Sequence, residues 1–546
     1  MREMALQGRR HLRKERESLM SFMDSLGRSK GNTKDVPVQR VGPLIAAILA
    51  ITLVAFVIYT YMSEILYDND TWFLLNTGRD IVAHGVPHEE QFGMFTGVRY
   101  IAQQWLYAYL LWGVYDMFGT LGPIIIMYLL WAIILLISLQ LIKGGQRIIG
   151  CDFGDASKLN TAYLLAAFTV LVGPVFKLNP RIFDILTLLL SALIWQHFAE
   201  KRRPAVLLAY VPITALFINI HGALWPLPFA VPFLGMVLQR DLSKKERLLV
   251  FGVLWLMLVA TLLNPYGLDM HLYIIRSMGV ISNMGIVEMR SPRAFDRGGM
   301  ISIALIVFLA LYVYAKVKSG RLREINRMWL VILIGAIIVT LLQERNYTLL
   351  LPSVIIFMGS IDLSSRRFLN LGVAKNCMNC ATIILICLGA AITLSVRQAT
   401  GHFDYDDFDR VSHIIESGYS EAAADTAADK WAQARSRTTI LCYNSSPYLE
   451  FKYGYRCFID PRFEIWSEKL NGKYDYLSQV NDIGDNKNVK PILDQYKFNY
   501  VLTDGDVDPR LYEEAGYTQV YQSEHDPTRR LFVRNDYDGI PNWVRS

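Results

Sequence analysis

Two carboxylates, Asp68 and Asp70, stand directly beyond the first apolar span, Val41 to Met62. A carboxylate is costly to hold in hydrocarbon, so ionisable groups at a span end face water or a functional cavity. The segment that follows, Thr71 to His84, reads as a short amphipathic helix on the membrane surface, stopped by Gly85 and Pro87. An acid pair held there suits chemistry on a substrate that itself lies in lipid. The simpler role is structural, because carboxylates also favour the N-terminus of a helix.

The elements that must position these acids follow from hydropathy and loop charge. Apolar runs recur from residue 43 to 396, many near the roughly 20 residues a spanning helix needs. Beyond the first span they fall at about 121–142, 159–174, 183–198, 205–219, 223–239, 247–263, 299–315, 328–342, 346–360 and 379–396. That makes about 11 transmembrane helices in a polytopic α-helical membrane protein. Basic clusters at Lys143/Arg147/Lys158, Lys201 to Arg203, Arg240 to Arg247, Lys316 to Arg327 and Arg366 to Lys375 all become cytoplasmic if Trp105 to Phe118 is a second surface helix and not a span. Residues 1–40, with about ten basic and five acidic side chains, read as a basic cytoplasmic segment and not as a cleaved signal peptide. Residues 41–398 then form the membrane domain, with the first outer loop at 63–120, and 399–546 lie outside the cell membrane.

This count gathers the polar constellations on one face. The outer side receives Asp68, Asp70, Arg79 and Gln104 from the first loop, Asn179 and Arg181 from the second, and Asn219 and His221 from the third. Glu288 comes from a long loop, Asp269 to Gly298, that reads as a lid, and Arg345 follows in Glu344-Arg345-Asn346. Binding and catalysis concentrate on loops held by a rigid scaffold. The sequence has no Walker-type loop and no strand-borne G-x-G-x-x-G; Gly144-Gly145 sits in a basic loop without that context. The basic excess is a topology signal and not a nucleic-acid patch, since residues 401–546 carry about 17 basic against 25 acidic side chains. Group transfer on an outer face needs a donor that brings its own leaving group, as a polyprenyl-phosphate sugar does.

The chain resembles bacterial GT-C-type integral membrane glycosyltransferases, the superfamily that includes protein mannosyltransferases and aminoarabinose transferases. The resemblance rests on Asp68-Asn69-Asp70-Thr71-Trp72 with Gly78-Arg79 and Gly85-Val86-Pro87, then Gln104-Trp105-Leu106, Asn179-Pro180-Arg181, Asn219-Ile220-His221-Gly222, Leu263 to Gly267, Glu288 to Pro292, and Glu344-Arg345-Asn346. It implies a GT-C-like fold and transfer of a sugar from a polyprenyl-phosphate donor to an acceptor hydroxyl on an extracytoplasmic glycan, lipid or protein. Asp70 fits the superfamily's base position better than Asp68, and displacement at the anomeric carbon would invert it. Arg181 and Arg345 are candidates for the lipid phosphate, with snorkelling to headgroups as the alternative. Asn179 stands where related enzymes often carry an acid that helps hold a divalent metal. Asn is a weaker ligand and Arg181 repels a cation, so a magnesium or manganese ion stays unassigned. The resemblance places the protein in the bacterial cytoplasmic membrane, multi-pass. A transporter or flippase of a lipid-linked glycan, and an inactive membrane scaffold, are the other classes this pattern allows.

The tail reads as a mixed α/β domain. Asp406 to Gly418 is helical; Glu421 to Ala434 is helix or linker; strands are expected at Thr439–Tyr443, Arg456–Ile459, Tyr500–Thr503, Gln519–Tyr521 and Arg530–Val533. Asp460-Pro461-Arg462 ends a strand, where α/β sheets present ligands, and is either an acceptor contact or a turn. Cys442 and Cys457 fall on neighbouring strands and are either bridged or a buried thiol pair. Cys377-x-x-Cys380 lacks the second pair a zinc site needs.

Overall fold

The computed structural model describes residues 67–95, 97–151, 178–281, 290–361, 405–417, 438–442 and 446–537, all within one compact unit, Val54–Ser546. The first span, the runs at 159–174 and 379–396, Glu288, the Ala/Asp-rich stretch from Glu421 and the Cys377/Cys380 pair lie outside the described residues.

The helices are α1 (Asn69–His84), α2 (Trp105–Phe118), α3 (Leu121–Ile148), α4 (Arg181–Lys201), α5 (Tyr210–Ile220), α6 (Ala230–Leu238), α7 (Lys244–Ala260), α8 (Leu268–Ile281), α9 (Arg297–Lys318), α10 (Arg327–Leu342), α11 (Leu350–Met358), α12 (Tyr405–Ser417) and α13 (Ser446–Tyr453). Short helices follow between Glu468 and Glu514. Among the described residues, three helices are long and apolar enough to cross a membrane: Leu121–Ile148, Arg181–Lys201 and Gly298–Lys318. On α3, Ile125, Leu129 and Leu136 are more than half exposed in the protein alone. Side chains of that kind on such a helix are solvated by lipid.

The other described apolar segments, Pro204–Ile220, Gly222–Leu238 and Arg327–Leu342, are shorter. Two of them include a proline-containing 3-10 turn. Pro204 opens the 3-10 turn Pro204–Ala209, and Pro228 sits in another at Leu227–Phe229, where the ring removes a backbone donor and resists a regular helix. The described residues therefore carry three helices of spanning length, and three of the eleven runs counted from hydropathy lie outside them. Helix α2 is 14 residues long, too short to span as an α-helix.

The tail carries five strands: β1 (Thr439–Leu441), β2 (Arg456–Cys457), β3 (Tyr500–Asp504), β4 (Tyr517–Gln522) and β5 (Arg529–Arg534). They order as β2-β1-β3-β5-β4, with β1 parallel to both neighbours and β5 antiparallel to β3 and β4. The β1 to β2 crossover carries α13. The thiols of Cys442 and Cys457 lie 3.2 Å apart, buried and unbridged, and burial pushes the Cys457 thiol well above its ordinary pKa. Asp407 of α12 ties that helix to the sheet. It accepts hydrogen bonds from Tyr521 Oη at 2.7 Å and Arg529 Nη1 at 2.9 Å.

Two expectations change. Helix α1 does not float on a surface: Trp72, Leu74, Leu75, Thr77, Gly78 and Ile81 are buried, covered by α2 on one side and α13 on the other. At the α1–α2 crossing a Cβ on Gly78 would lie 2.1 Å from the backbone oxygen of Ala108, so only glycine allows this approach. Residues 282–289 lie outside the described residues, and the first part of the segment expected as a lid is regular, for Leu268–Ile281 is helix α8. Its buried Met270, Tyr273, Ile274 and Ser277 recur at helical spacing and pack toward the tail.

Two tests follow. Gly78→Ala forces α1 and α2 apart and costs about 1–3 kcal/mol, read as a lowered thermal midpoint; an unchanged midpoint would remove this crossing as a constraint. Burial raises the Asp407 carboxyl, but Ser523, Tyr521 and Arg529 outweigh it and the net shift is downward. A lowered folded pKa contributes stability above the unfolded value of about 3.9, lost as pH falls through the folded value. Acid should therefore loosen α12 below about pH 4, seen as faster amide exchange there, and Asp407→Asn should remove that dependence.

Candidate active site

Helix α1 begins where Asp68 caps it. The Asp68 carboxylate accepts from the Thr71 backbone N–H at 3.0 Å and from the Thr71 hydroxyl at 2.8 Å. The cap orients the first turn, and one face of α1 then presents Asp70, Phe73, Leu74 and Thr77 to a cavity of about 300 Å³. Those positions follow the i, i+3, i+4, i+7 stripe of a single helical face. Asp70 is exposed to this space, while the buried Thr77 hydroxyl has no hydrogen-bond partner among the described residues.

A second wall is the start of α4, which the Thr71 hydroxyl of α1 reaches through the Leu178 carbonyl at 3.4 Å. Asn179, Pro180 and Arg181 line the cavity together with Arg345. Asn179 Oδ1 accepts from the Arg181 backbone N–H at 3.2 Å, and Arg181 Nη1 donates to the Arg345 carbonyl at 3.2 Å. A helix N-terminus flanked by two arginines favours an anion. One helical turn along, Asp184 meets His221 across α4 and α5. Asp184 Oδ1 lies 2.6 Å from His221 Nδ1, both side chains are at most 4% exposed, and the His221 ring lines the cavity. Gly222 lets the α5 end close on α2, since its N–H donates to the Gln103 carbonyl at 3.0 Å. Gln103 and Gln104 line the cavity from the turn before α2.

The third wall comes from the tail through Pro461, Arg462, Phe463 and Glu464, with Tyr100 from the first loop. Arg462 is 4% exposed. Its Nη2 donates to Glu90 Oε1 at 2.7 Å, its Nε donates to both Asp460 oxygens, and its guanidinium lies 4.5 Å from the Tyr100 ring centroid. Burial works against the Arg462 charge, but Asp460 and Glu90 outweigh it and hold the guanidinium ionised. Arg462 Nη1 and Glu90 Oε2 have no hydrogen-bond partner among the described residues. Burial pushes the Glu464 carboxyl above its ordinary range, and Tyr273 Oη of α8 donates to it at 3.3 Å.

Of the residues singled out from sequence, Asp70, Gln104, Asn179, Arg181, His221 and Arg345 line this one cavity, with Asp68 adjacent as the cap. Arg79 does not line it. Its Nη1 donates to the Phe451 carbonyl at 3.0 Å and its guanidinium lies 4.7 Å from the Phe451 ring centroid, so it bolts α1 to α13. Asn219 is also spent on structure, accepting from Trp105 Nε1 at 2.7 Å and donating to the Leu263 carbonyl at 2.8 Å. Glu288 lies outside the described residues, and Arg290 pairs with Asp296 at 3.4 Å. The sequence places Asp184 on the outer face beside Asn179 and Arg181 without assigning it a role, and Thr77, Tyr100 and Glu464 were passed over. Thr77 was readable from the α1 stripe and Asp184 from its i, i+3 relation to Arg181. Nothing local signals Tyr100 or Glu464, which reach the site only through chain crossings. No group of three or more metal-ligating His, Cys, Asp or Glu side chains occurs among the described residues.

No protein-family profile and no curated protein matches the chain. Among solved structures it is similar to the Archaeoglobus fulgidus oligosaccharyltransferase tethered with an acceptor peptide containing the NVT sequon via a disulfide bond. The identity is 12% and the TM-score 0.45, over 90% of this chain and 74% of that one.

Removing the guanidinium leaves Glu90 and Asp460 as unpaired buried charges. Arg462→Met should therefore cost about 3–5 kcal/mol, measured by denaturant unfolding. A loss below about 1 kcal/mol, the range of an exposed pair, would show that the tail wall does not depend on this ion cluster.

Proposed function

We propose that the cavity is the active site of a membrane glycosyltransferase that moves a sugar from a polyprenyl-phosphate donor to an acceptor hydroxyl, with inversion. The observation that carries it is a single carboxylate-plus-guanidinium pocket. Asp70 enters from α1, and Arg181 and Arg345 stand with Asn179 at the α4 N-terminus. The pocket sits in a chain whose long apolar helices expose aliphatic side chains, so a prenyl chain has a solvent beside the site. Arg181, Arg345 and the α4 amides hold the donor phosphate. Asp70 takes the proton of the acceptor hydroxyl as its oxygen attacks the anomeric carbon, and the bond to phosphate breaks with its electron pair on the phosphate oxygen.

The tail wall, Arg462 and Glu464, offers a further donor and acceptor, which suits the acceptor molecule: an extracytoplasmic glycan, lipid or protein. The N-terminus is cytoplasmic, residues 399–546 form an extracytoplasmic domain, and the host membrane is a bacterial cell membrane. Charge distribution supports this orientation, since acids dominate the tail and basic clusters the loops between apolar runs. Asn179 and Arg181 suit phosphate better than a divalent cation.

Asp70→Asn should fold and bind donor but lose transfer by roughly 100- to 10,000-fold. The measurement is transfer from a panel of radiolabelled polyprenyl-phosphate sugars in proteoliposomes, with movement across the bilayer followed in parallel. Full transfer by the variant would remove Asp70 as the base, and translocation without transfer would make the protein a transporter.

A further inference from the structure

We propose that His221, held by Asp184, is the proton donor to the leaving phosphate oxygen; this rests on the cavity being the transferase site of the preceding subsection. The buried Asp184 carboxylate and His221 imidazole meet at 2.6 Å through Nδ1. A carboxylate only accepts, so Nδ1 carries a hydrogen and Asp184 fixes the ring's tautomer and orientation. His221 lines the cavity, and Nε2 has no protein partner among the described residues, which leaves it for a ligand. Asp184 lies one turn from Arg181 on the same helix, so the imidazole stands at the anion end of the pocket.

The groups around His221 are Asp184 from α4; Arg181, Arg345, Asp70, Arg462 and Glu464 on the cavity wall; and, from α8, Met270 beside Gly222, with His271 turned to the Thr261 hydroxyl at 3.0 Å. The donor is a phosphodiester with one negative charge, and its leaving group is a monoester that gains a second. That second charge makes the leaving oxygen a better proton acceptor than the diester was. The step balances. The bond from the anomeric carbon to the acceptor oxygen forms and the bond to phosphate oxygen breaks. The acceptor proton goes to Asp70, and the imidazolium form of His221 gives its Nε2 proton to the leaving phosphate, which leaves the neutral ring with the Nδ1 hydrogen that Asp184 accepts. His221 is the catalytic residue here and Asp184 the positioning residue.

The test uses the full chain in nanodiscs and two probes, farnesyl phosphate and inorganic phosphate, titrated calorimetrically between pH 6 and 8 in buffers of different ionisation enthalpy. Wild type should bind farnesyl phosphate with uptake of a fraction of a proton near pH 7.5, and more tightly than inorganic phosphate. Both Asp184→Asn and His221→Gln should lose that uptake and about tenfold in affinity for farnesyl phosphate, the size of one charge-assisted hydrogen bond. Proton uptake in wild type needs no variant to fold. Binding without uptake, or variants with unchanged affinity and uptake, overturns the role of His221 and leaves the transferase reading standing. No binding of farnesyl phosphate, or binding no tighter than inorganic phosphate, removes the lipid-borne donor and both proposals with it.

Discussion

Helix α1 is clamped on two sides, and the site depends on that clamp. On one side Gly78 brings α1 against the Ala108 backbone of α2. On the other, Trp72 packs against Tyr448 and Phe451 at ring-centroid distances of 5.2 and 5.3 Å, while Arg79 donates to the Phe451 carbonyl. Contacts with two neighbouring elements, about a third of a turn apart around the helix, fix its rotation about its axis. That rotation turns the Asp70, Phe73, Leu74 and Thr77 stripe toward the cavity. A helix rotates by about 100° per residue, so a slip of one position would carry Asp70 out of the pocket.

The clamp also makes the tail part of the site. Helix α13 lies in the crossover between β1 and β2, so the sheet that places α13 on α1 also places the segment after β2. That segment carries Asp460, Arg462 and Glu464. The Arg462 ion cluster with Glu90 joins tail and first loop through buried charges. A partly satisfied buried network of this kind costs stability and is a poor means of holding a fold together. Its place on the cavity wall, with Arg462 Nη1 and Glu90 Oε2 without a hydrogen-bond partner among the described residues, gives it a reason to persist.

The cavity carries both signs of charge. Arg181 and Arg345 line it beside a helix N-terminus, together with Asp70, Glu464 and the Arg462 cluster. Opposite charges held apart by a rigid frame can bind a phosphate and receive a proton in one enclosure. Fields are strong there because bulk water is partly excluded.

Hydropathy alone determined that the chain is built on apolar helices. The alternating apolar pattern with its turn residues located the tail strands to within about two residues, because a strand's side-chain period is local. The carboxylate before a helical stripe was legible as a helix start, and Asp68 is that cap. Amphipathicity also said that α1 buries one face, but not against what, and protein covers it where lipid was expected. Arg79 and Asn219 looked like site residues because polar groups near a helix end carry no label for their partner. Only chain crossings more than 100 residues apart decided that they hold structure. The Asp184–His221 pair, the Arg462–Glu90 pair and the tail's share of the cavity are likewise long-range contacts. They arise from packing that closes several elements around one space, and no local window of sequence contains that information.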